Sequence, residues 1–352
     1  MKYNVLGVSS GLGVSLFPFK KHLLANVEFR GIFHTKNDEQ WKANFGNIPL
    51  HKDPKSTRPL PGEPDVIISS PDCGSGSIFR YSRSKKLGDH MKNDSLSLFF
   101  RLLDFYKCKF FLFENLENLF KSFPKEKFLE LTKDYRLIIH NASVAHFGNS
   151  QKNRKRLIIV GIRRDIPKKY DKYFKLPHYK EPLTCGELYG DLNNGMGPGA
   201  ECISPGVCHT REDFDTVISI HARKKMSLRQ IAKVWGTRLK GKKRWETEPG
   251  FNFTTAPGVY RNLDNDFPAT ARKANRQFDE GGFTLTPRQL ARIQGVPDDF
   301  KIYYDPNKPK YWINKGRCTV TKTPPMEISI WFKGKLEKVL RKMDPSHAYK
   351  ER

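Results

Sequence analysis

Short apolar runs alternate with segments of helical periodicity through the first 163 residues, and that alternation limits the fold more than any other feature. Residues 3–8 (YNVLGV), 27–33, Val66–Ser69, 109–115, 136–146 and 157–162 read as strands. Asp38–Phe45 and residues 95–107 read as helices between them. Strands that alternate with helices predict an α/β architecture with a parallel, doubly wound sheet. In such sheets chemistry collects at the carboxyl ends of the strands. Asp65–Ser77 (DVIISSPDCGSGS) is the stretch where this matters most. A buried strand there runs into a Gly/Ser-rich loop that carries a single cysteine, Cys73. Taken alone, a cysteine at a strand end fills space as readily as it reacts.

The chain has 352 residues, enough for one large or two ordinary domains. Lys and Arg number 63 against 37 Asp and Glu, a net charge of +26 spread over most of the chain. That balance favours a polyanion, above all nucleic acid, because neutralising phosphates releases counterions. No apolar run approaches the roughly 20 residues that span a membrane, and the N-terminus reads as a strand rather than a signal peptide. The six cysteines are scattered. These features point to a reducing, cytoplasmic setting with free thiols. Cys202, Cys208 and His209 lie close together, but without the paired spacing of a zinc site. No metal is expected, and a monomer is.

After the first strand, SSGLGV carries Gly11 and Gly13 in a turn of the kind that lets backbone approach a nucleotide or nucleoside. Phe110–Phe113 form an apolar strand that ends on Glu114–Asn115. If the sheet is parallel, Glu114 and Cys73 can face one crevice. Arg154 and Arg156 alternate ahead of LIIVGI, which would put both on one face of an extended segment. Residues 77–94 interleave basic and aromatic side chains, as a surface facing nucleic acid does, and as an ordinary solvated loop also does. From residue 164 the texture changes to Pro-, Gly- and Asn-rich sequence, so a domain boundary is predicted there. A segment with Arg229 (MSLRQIAKVWGTRLKG) reads as a short amphipathic helix, a turn and a basic continuation, a pattern that can enter a DNA groove. Thr286 and Pro287 open a helix that closes near Gly295. Residues 327–343 read as a last helix that returns to the first domain.

Four of these motifs, in this order, resemble the DNA cytosine 5-methyltransferases. They are SPDC at 70–73, FENL at 113–116, QKNRKRLIIVG at 151–161 and LTPRQLARIQGVPDDF at 285–300. The resemblance covers nearly the whole chain. It implies a doubly wound S-adenosylmethionine-dependent methyltransferase sheet (residues 1–163), a smaller irregular target-recognition domain with the motif helix (164–300), and a C-terminal segment (301–352) returning to the first. It implies that Cys73 adds to carbon 6 of a cytosine flipped out of double-stranded DNA, which activates carbon 5 toward a methyl group. Glu114 would bind the ring's N3 and amino group, and Arg156 with Arg154 the carbonyl oxygen. S-adenosylmethionine would lie against Ser10, Gly11, Gly13, Asp53 and Pro71. Ser75, Arg80, Arg229, Thr270 and Arg288 would contact DNA. A prokaryotic or viral enzyme of restriction–modification or DNA protection fits this reading.

The chain also departs from the family pattern. Asp72 stands where a proline is usual and Gly74 where glutamine is common. Ser9 replaces a phenylalanine, GRCTV at 316–320 only loosely echoes the last motif, and no acid is found at Ile32, where the second strand was expected to end. The cofactor side therefore reads as eroded. A cytosine-modifying enzyme with an altered cofactor, or a DNA-binding protein without catalysis, remain the competing readings.

Overall fold

A computed structural model describes residues 3–28, 37–51, 62–71, 94–151, 154–184, 187–188, 287–302 and 323–344. The chain divides into two compact units. Unit 1 comprises Met1–Phe147, Lys155–Tyr179 and Pro324–Arg352; unit 2 comprises Gly148–Arg154 and Lys180–Thr323.

Unit 1 is built on seven strands: β1 (Val5–Val8), β2 (Leu23–Val27), β3 (Leu50–His51), β4 (Val66–Ser69), β5 (Phe110–Leu116), β6 (Tyr135–Ser143) and β7 (Lys155–Arg163). Their order across the sheet is β3-β2-β1-β4-β5-β7-β6. The pairings from β3 to β5 are parallel, while β7 lies antiparallel between β5 and β6. The sheet is thus mixed rather than wholly parallel. Helices Leu119–Ser122 and Lys125–Leu131 fill the connection from β5 to β6. Among the described residues the connection from β6 to β7 holds one 3₁₀ turn, Val144–Phe147, and β7 runs back antiparallel to β6.

Alternate residues of each buried strand serve opposite faces. Val66, Ile68, Phe110 and Leu112 join Leu16, Phe19, Phe332 and Leu336 on one face. Ile67, Phe111 and Phe113 join Leu96, Phe99, Leu103 and Phe128 on the other. With both faces covered, the strands need near-continuous apolar sequence, which FFLF and LIIV supply. Each fully buried phenylalanine contributes about 1.5–3 kcal/mol. The covering helices are Asp94–Tyr106 on the second face and Met326–Met343 on the first. The latter buries Ile328, Phe332, Leu336 and Val339 along one stripe.

Two sequence expectations need correction here. The second strand is Leu23–Val27, which begins four residues before the expected 27–33; residues 29–33 lie outside the described residues. LLANV follows the 3₁₀ helix Val14–His22 without a turn signal, which hides its start. Residues 164–179 pack in unit 1 rather than opening a second domain. Ile166, Tyr170 and Phe174, spaced four apart, reach back into the same core as Ile162 and Phe332. The helix near 287 runs Pro287–Ile293 and stops at Gly295, whose φ is 68°. Among the described residues no helix is long and apolar enough to cross a membrane.

Candidate active site

The strand order reverses between β1 and β4, and that switch point opens a crevice at the carboxyl ends of the strands. The Ser9–Gly13 turn follows β1, Glu28 follows β2, and Ser70–Pro71 follow β4. Glu114 and Asn115 lie in the last turn of pleat of β5. Because β7 is antiparallel, its first residues come to the same end, with Arg156 opposite Leu116.

Register decides which side chains meet. Glu114 and Leu116 share one face of β5, so Arg156 is the diagonal neighbour of Glu114. The Arg156 Nε–Glu114 Oε1 distance is 2.8 Å. The other carboxylate oxygen, Oε2, accepts a hydrogen bond from Ser70 Oγ at 2.7 Å. Glu114 is only 7% exposed, so both oxygens are held in a largely water-free place. Asn115, on the opposite face, donates from Nδ2 to the Pro71 carbonyl at 3.2 Å and accepts the Leu116 N–H at 2.8 Å. The chain leaving β4 is therefore tied to β5 on both faces, at Ser70 and at Pro71, two residues before Cys73. Cys73 itself lies outside the described residues, as do Asp53, Ser75, Arg80, Arg229, Thr270 and the Cys202–His209 cluster.

The glycine turn carries a group that the sequence reading missed. Glu28 directly follows β2, is buried, and accepts hydrogen bonds on Oε1 from the Gly11 N–H at 2.8 Å and Asn26 Nδ2 at 2.9 Å. Its own N–H donates to the His51 carbonyl. Burial pushes its carboxyl up to about 8, against the downward pull of Asn26 and the Gly11 and Ser10 backbone. This supplies the acid after the second strand that was expected to be absent at Ile32. Placing β2 four residues too late concealed it. The turn itself depends on glycine: Gly11 has φ 60° and Gly13 φ 79°, and a Cβ on Gly13 would come within 2.6 Å of the Phe45 ring. Ser10 Oγ donates to the Ile68 carbonyl at 3.4 Å, which links the turn to β4. Ser9 Oγ, Ser69 Oγ and Asn26 Oδ1, at the ends of three neighbouring strands, are buried with no hydrogen-bond partner among the described residues. Orphaned buried polar atoms at strand ends suit a ligand that can hydrogen-bond them.

Arg154 and Arg156 do not act as a pair. Within unit 2 the Arg154 side chain is 2% exposed, and its guanidinium donates to Gln294 Oε1, to Gln151 Oε1 and, at 2.8 Å, to the Thr323 carbonyl. Gln151 in turn reaches Asn149 and the Ile293 carbonyl. Arg154 thus organises the second unit, contrary to the expectation that it contacts the base. Arg288 is corrected in the same way. It is 1% exposed and bonds the Pro297 and Phe300 carbonyls, so its guanidinium fixes the turn after its helix instead of meeting a phosphate. Among the described residues no group of three or more His, Cys, Asp or Glu could hold a metal ion.

Comparison with known proteins agrees with this layout. The family model for the C-5 cytosine-specific DNA methylases matches residues 20–313. The type II methyltransferase M.NgoPII of Neisseria gonorrhoeae is 27% identical over 263 residues, 70% of either chain. M.MthTI of Methanothermobacter thermautotrophicus is 26% identical over 322 residues, 86% of this chain and 89% of its own. The crystal structure of the S. pombe Dnmt2 methyltransferase superposes with a TM-score of 0.59 over 98% of this chain and 100% of its own, at 12% identity.

Proposed function

The chain belongs to the C-5 cytosine-specific DNA methylases, and from that premise we propose that Cys73 is the nucleophile and that Glu114 and Arg156 handle the flipped base. DNA cytosine 5-methylation is the activity of this enzyme; the residue roles are our reading. The observation that carries it is the buried Glu114–Arg156 pair, held by Ser70 at the carboxyl ends of β4 and β5, where the chain leaves β4 two residues before Cys73 in sequence.

Carbon 5 of cytosine is a poor nucleophile. A Cys73 thiolate that adds to carbon 6 pushes electron density toward carbon 5 and toward the N3 and carbonyl edge. The Glu114 carboxyl would face N3 and the exocyclic amino group, and the Arg156 guanidinium the carbonyl oxygen. The new charge then develops against groups already oriented by Ser70 and by each other, so little reorganisation is needed. Loss of the carbon 5 proton after transfer lets the S–C6 bond break and regenerates the thiolate. S-adenosylmethionine, when bound, supplies an electrophilic methyl group. Glu28, Ser10, Gly11 and the Gly13 turn fit such a ligand, with Pro71 nearby, because a carboxylate beside a glycine turn can accept hydrogen bonds from a ribose diol. Asp53 remains a proposed contact to it. Ser75, Arg80, Arg229 and Thr270 remain proposed DNA contacts, in keeping with the charge of +26. The relatives' description as type II methyltransferases supports a sequence-specific modification role.

Trapping on duplex DNA with 5-fluorocytosine tests the assignment. The intact protein should form a covalent complex that survives denaturing electrophoresis, and Cys73→Ser should form none while binding DNA as before. A complex that persists in Cys73→Ser would overturn it.

A further inference from the structure

Unit 1 carries a second concentration of charge alongside β6, the edge strand of its sheet. β7 ends at Arg163, and Ile162 lies opposite Phe110, the first residue of β5. The chain therefore leaves β7 at the end of the strand opposite to Arg156 and turns back along β6, where Asp171 meets Arg136 and the Phe174 carbonyl meets His140 at 2.8 Å. It then forms the 3₁₀ helix Lys168–Phe174, anchored in the core by Tyr170 and Phe174. This turn lies against the end of helix Met326–Met343, where Tyr170 Oη donates to the Lys342 carbonyl at 3.2 Å. Between them is a groove of about 320 Å³ lined by Lys169, Tyr170, Lys172, Tyr173 and Lys342.

The ammonium groups here gather on tyrosine rings instead of carboxylates. Lys172, Lys338 and Lys342 lie 5.8, 5.9 and 5.7 Å from the centre of the Tyr173 ring, and Lys169 lies 5.3 Å from that of Tyr170. A hydrogen bond with Lys342, and then the charges of Lys342, Lys172 and Lys338, hold the Tyr173 phenol below its usual range. Two carboxylates of these segments, Asp171 and Glu337, are engaged elsewhere. Asp171 is bound to Arg136 at 2.8 Å. Glu337 accepts from Tyr3 Oη at 3.1 Å and lies 3.8 Å from Lys333. Like charges brought together on a rigid scaffold repel one another and cost stability. An anion that bridges several of them removes that cost.

We propose that this groove is a second, sequence-independent DNA site, in which Lys169, Lys172, Lys338 and Lys342 bind the phosphodiester backbone of a duplex segment other than the one in the catalytic crevice. Lysine suits this role as a point charge that reads no base. Lys338 and Lys342, one helical turn apart, place successive charges along one side of the helix. A second contact of this kind would hold the enzyme to long DNA while the first segment is exchanged. The inference rests on DNA being the substrate and not on the roles of Cys73, Glu114 or Arg156.

The test compares the intact protein with a variant carrying Lys169→Gln, Lys172→Gln, Lys338→Gln and Lys342→Gln. The first readout is methyl transfer to a short duplex, long enough for one site only. The second is binding to DNA of several hundred base pairs as a function of salt, together with bridging of two labelled duplexes. On the short duplex kcat/KM should stay within about twofold. On long DNA the slope of log K against log salt should fall in magnitude by about 3.6, at about 0.9 per lost phosphate contact for four contacts, and bridging should disappear. Unchanged long-DNA binding and bridging would overturn the proposal. So would an equal loss on short and long DNA, which would make these lysines part of the catalytic DNA track. So would an unchanged salt slope with selective loss of binding to an acidic protein or anionic vesicles, which would assign the groove to another partner. Thermal melting of the variant within about 2 °C of the parent excludes a folding defect; if the melt falls further, the same readouts are taken on the four single variants. If the intact protein transfers no methyl group at all, the binding and bridging arms still decide the matter.

Discussion

Replacing Glu28 by Gln should make the ligand-free protein more stable at neutral and alkaline pH. The carboxyl is buried and its pKa lies at about 8 in the folded protein, against an ordinary value of 4.5. A folded-state value raised in this way means that the native state holds its proton over a range where the unfolded chain has lost it. The favourable contribution is complete below the unfolded value and is lost as pH rises through the folded one. Between about pH 5.5 and about pH 8 this group alone should remove about 3 kcal/mol from the stability of the parent, at about 1.36 kcal/mol per pH unit. Gln keeps the shape and one acceptor oxygen for Gly11 and Asn26 but does not titrate. Urea unfolding of parent and Glu28→Gln across this range measures the effect directly. The two stability curves should converge near pH 5 and diverge by a few kcal/mol near pH 8. Parallel curves would refute the reasoning, because they would mean that Glu28 ionises in the native state without penalty.

Further outcomes follow from the same geometry. Arg156→Gln and Glu114→Gln should each lower kcat by about 10²–10³, the scale for losing one oriented group that meets developing charge, and should also cost about 3 kcal/mol of stability because each leaves one member of a buried pair uncompensated; steady-state methylation well below the melting point and melting itself together check this. Ser70→Ala should leave DNA affinity intact while lowering kcat by a smaller factor, since Glu114 loses one of its two tethers. Arg154→Met should instead cost about 3 kcal/mol of stability by removing the buried guanidinium that donates to Gln151, Gln294 and the Thr323 carbonyl, which chemical denaturation would register. Gly161→Val should destabilise by about 1–3 kcal/mol or more, because any side chain there meets the Phe111 ring.

The sequence carried the strand–helix alternation plainly because both faces of the sheet are covered. FFLF and LIIV could only be buried strands, and the helix 326–343 announced its own apolar stripe. Glu114 and Arg156 were legible as motif members, yet their pairing depends on β7 being inserted antiparallel, which no local pattern encodes. Arg154 and Arg156 looked equivalent two residues apart. They differ because the chain enters the strand between them, at Lys155, and Arg154 is claimed by Gln294 and Thr323, more than a hundred residues away. Glu28 was missed for a simpler reason. LLANV carries few β-branched residues and follows a 3₁₀ helix without a break, so the strand was placed too late and its terminal acid was read as interior. The limit of unit 1 was missed because composition changes at 164, whereas burial of Tyr170 and Phe174 continues to the end of that turn.

The most direct measurement is the mass of the nucleosides released from duplex DNA after incubation with the enzyme and S-adenosylmethionine, for the parent and for Cys73→Ser. If Cys73 drives addition to carbon 6, the parent yields deoxycytidine heavier by one methyl group at carbon 5 and the variant yields none. Methylated deoxycytidine from the variant, or a methyl group on the exocyclic nitrogen instead of carbon 5, would contradict the mechanism.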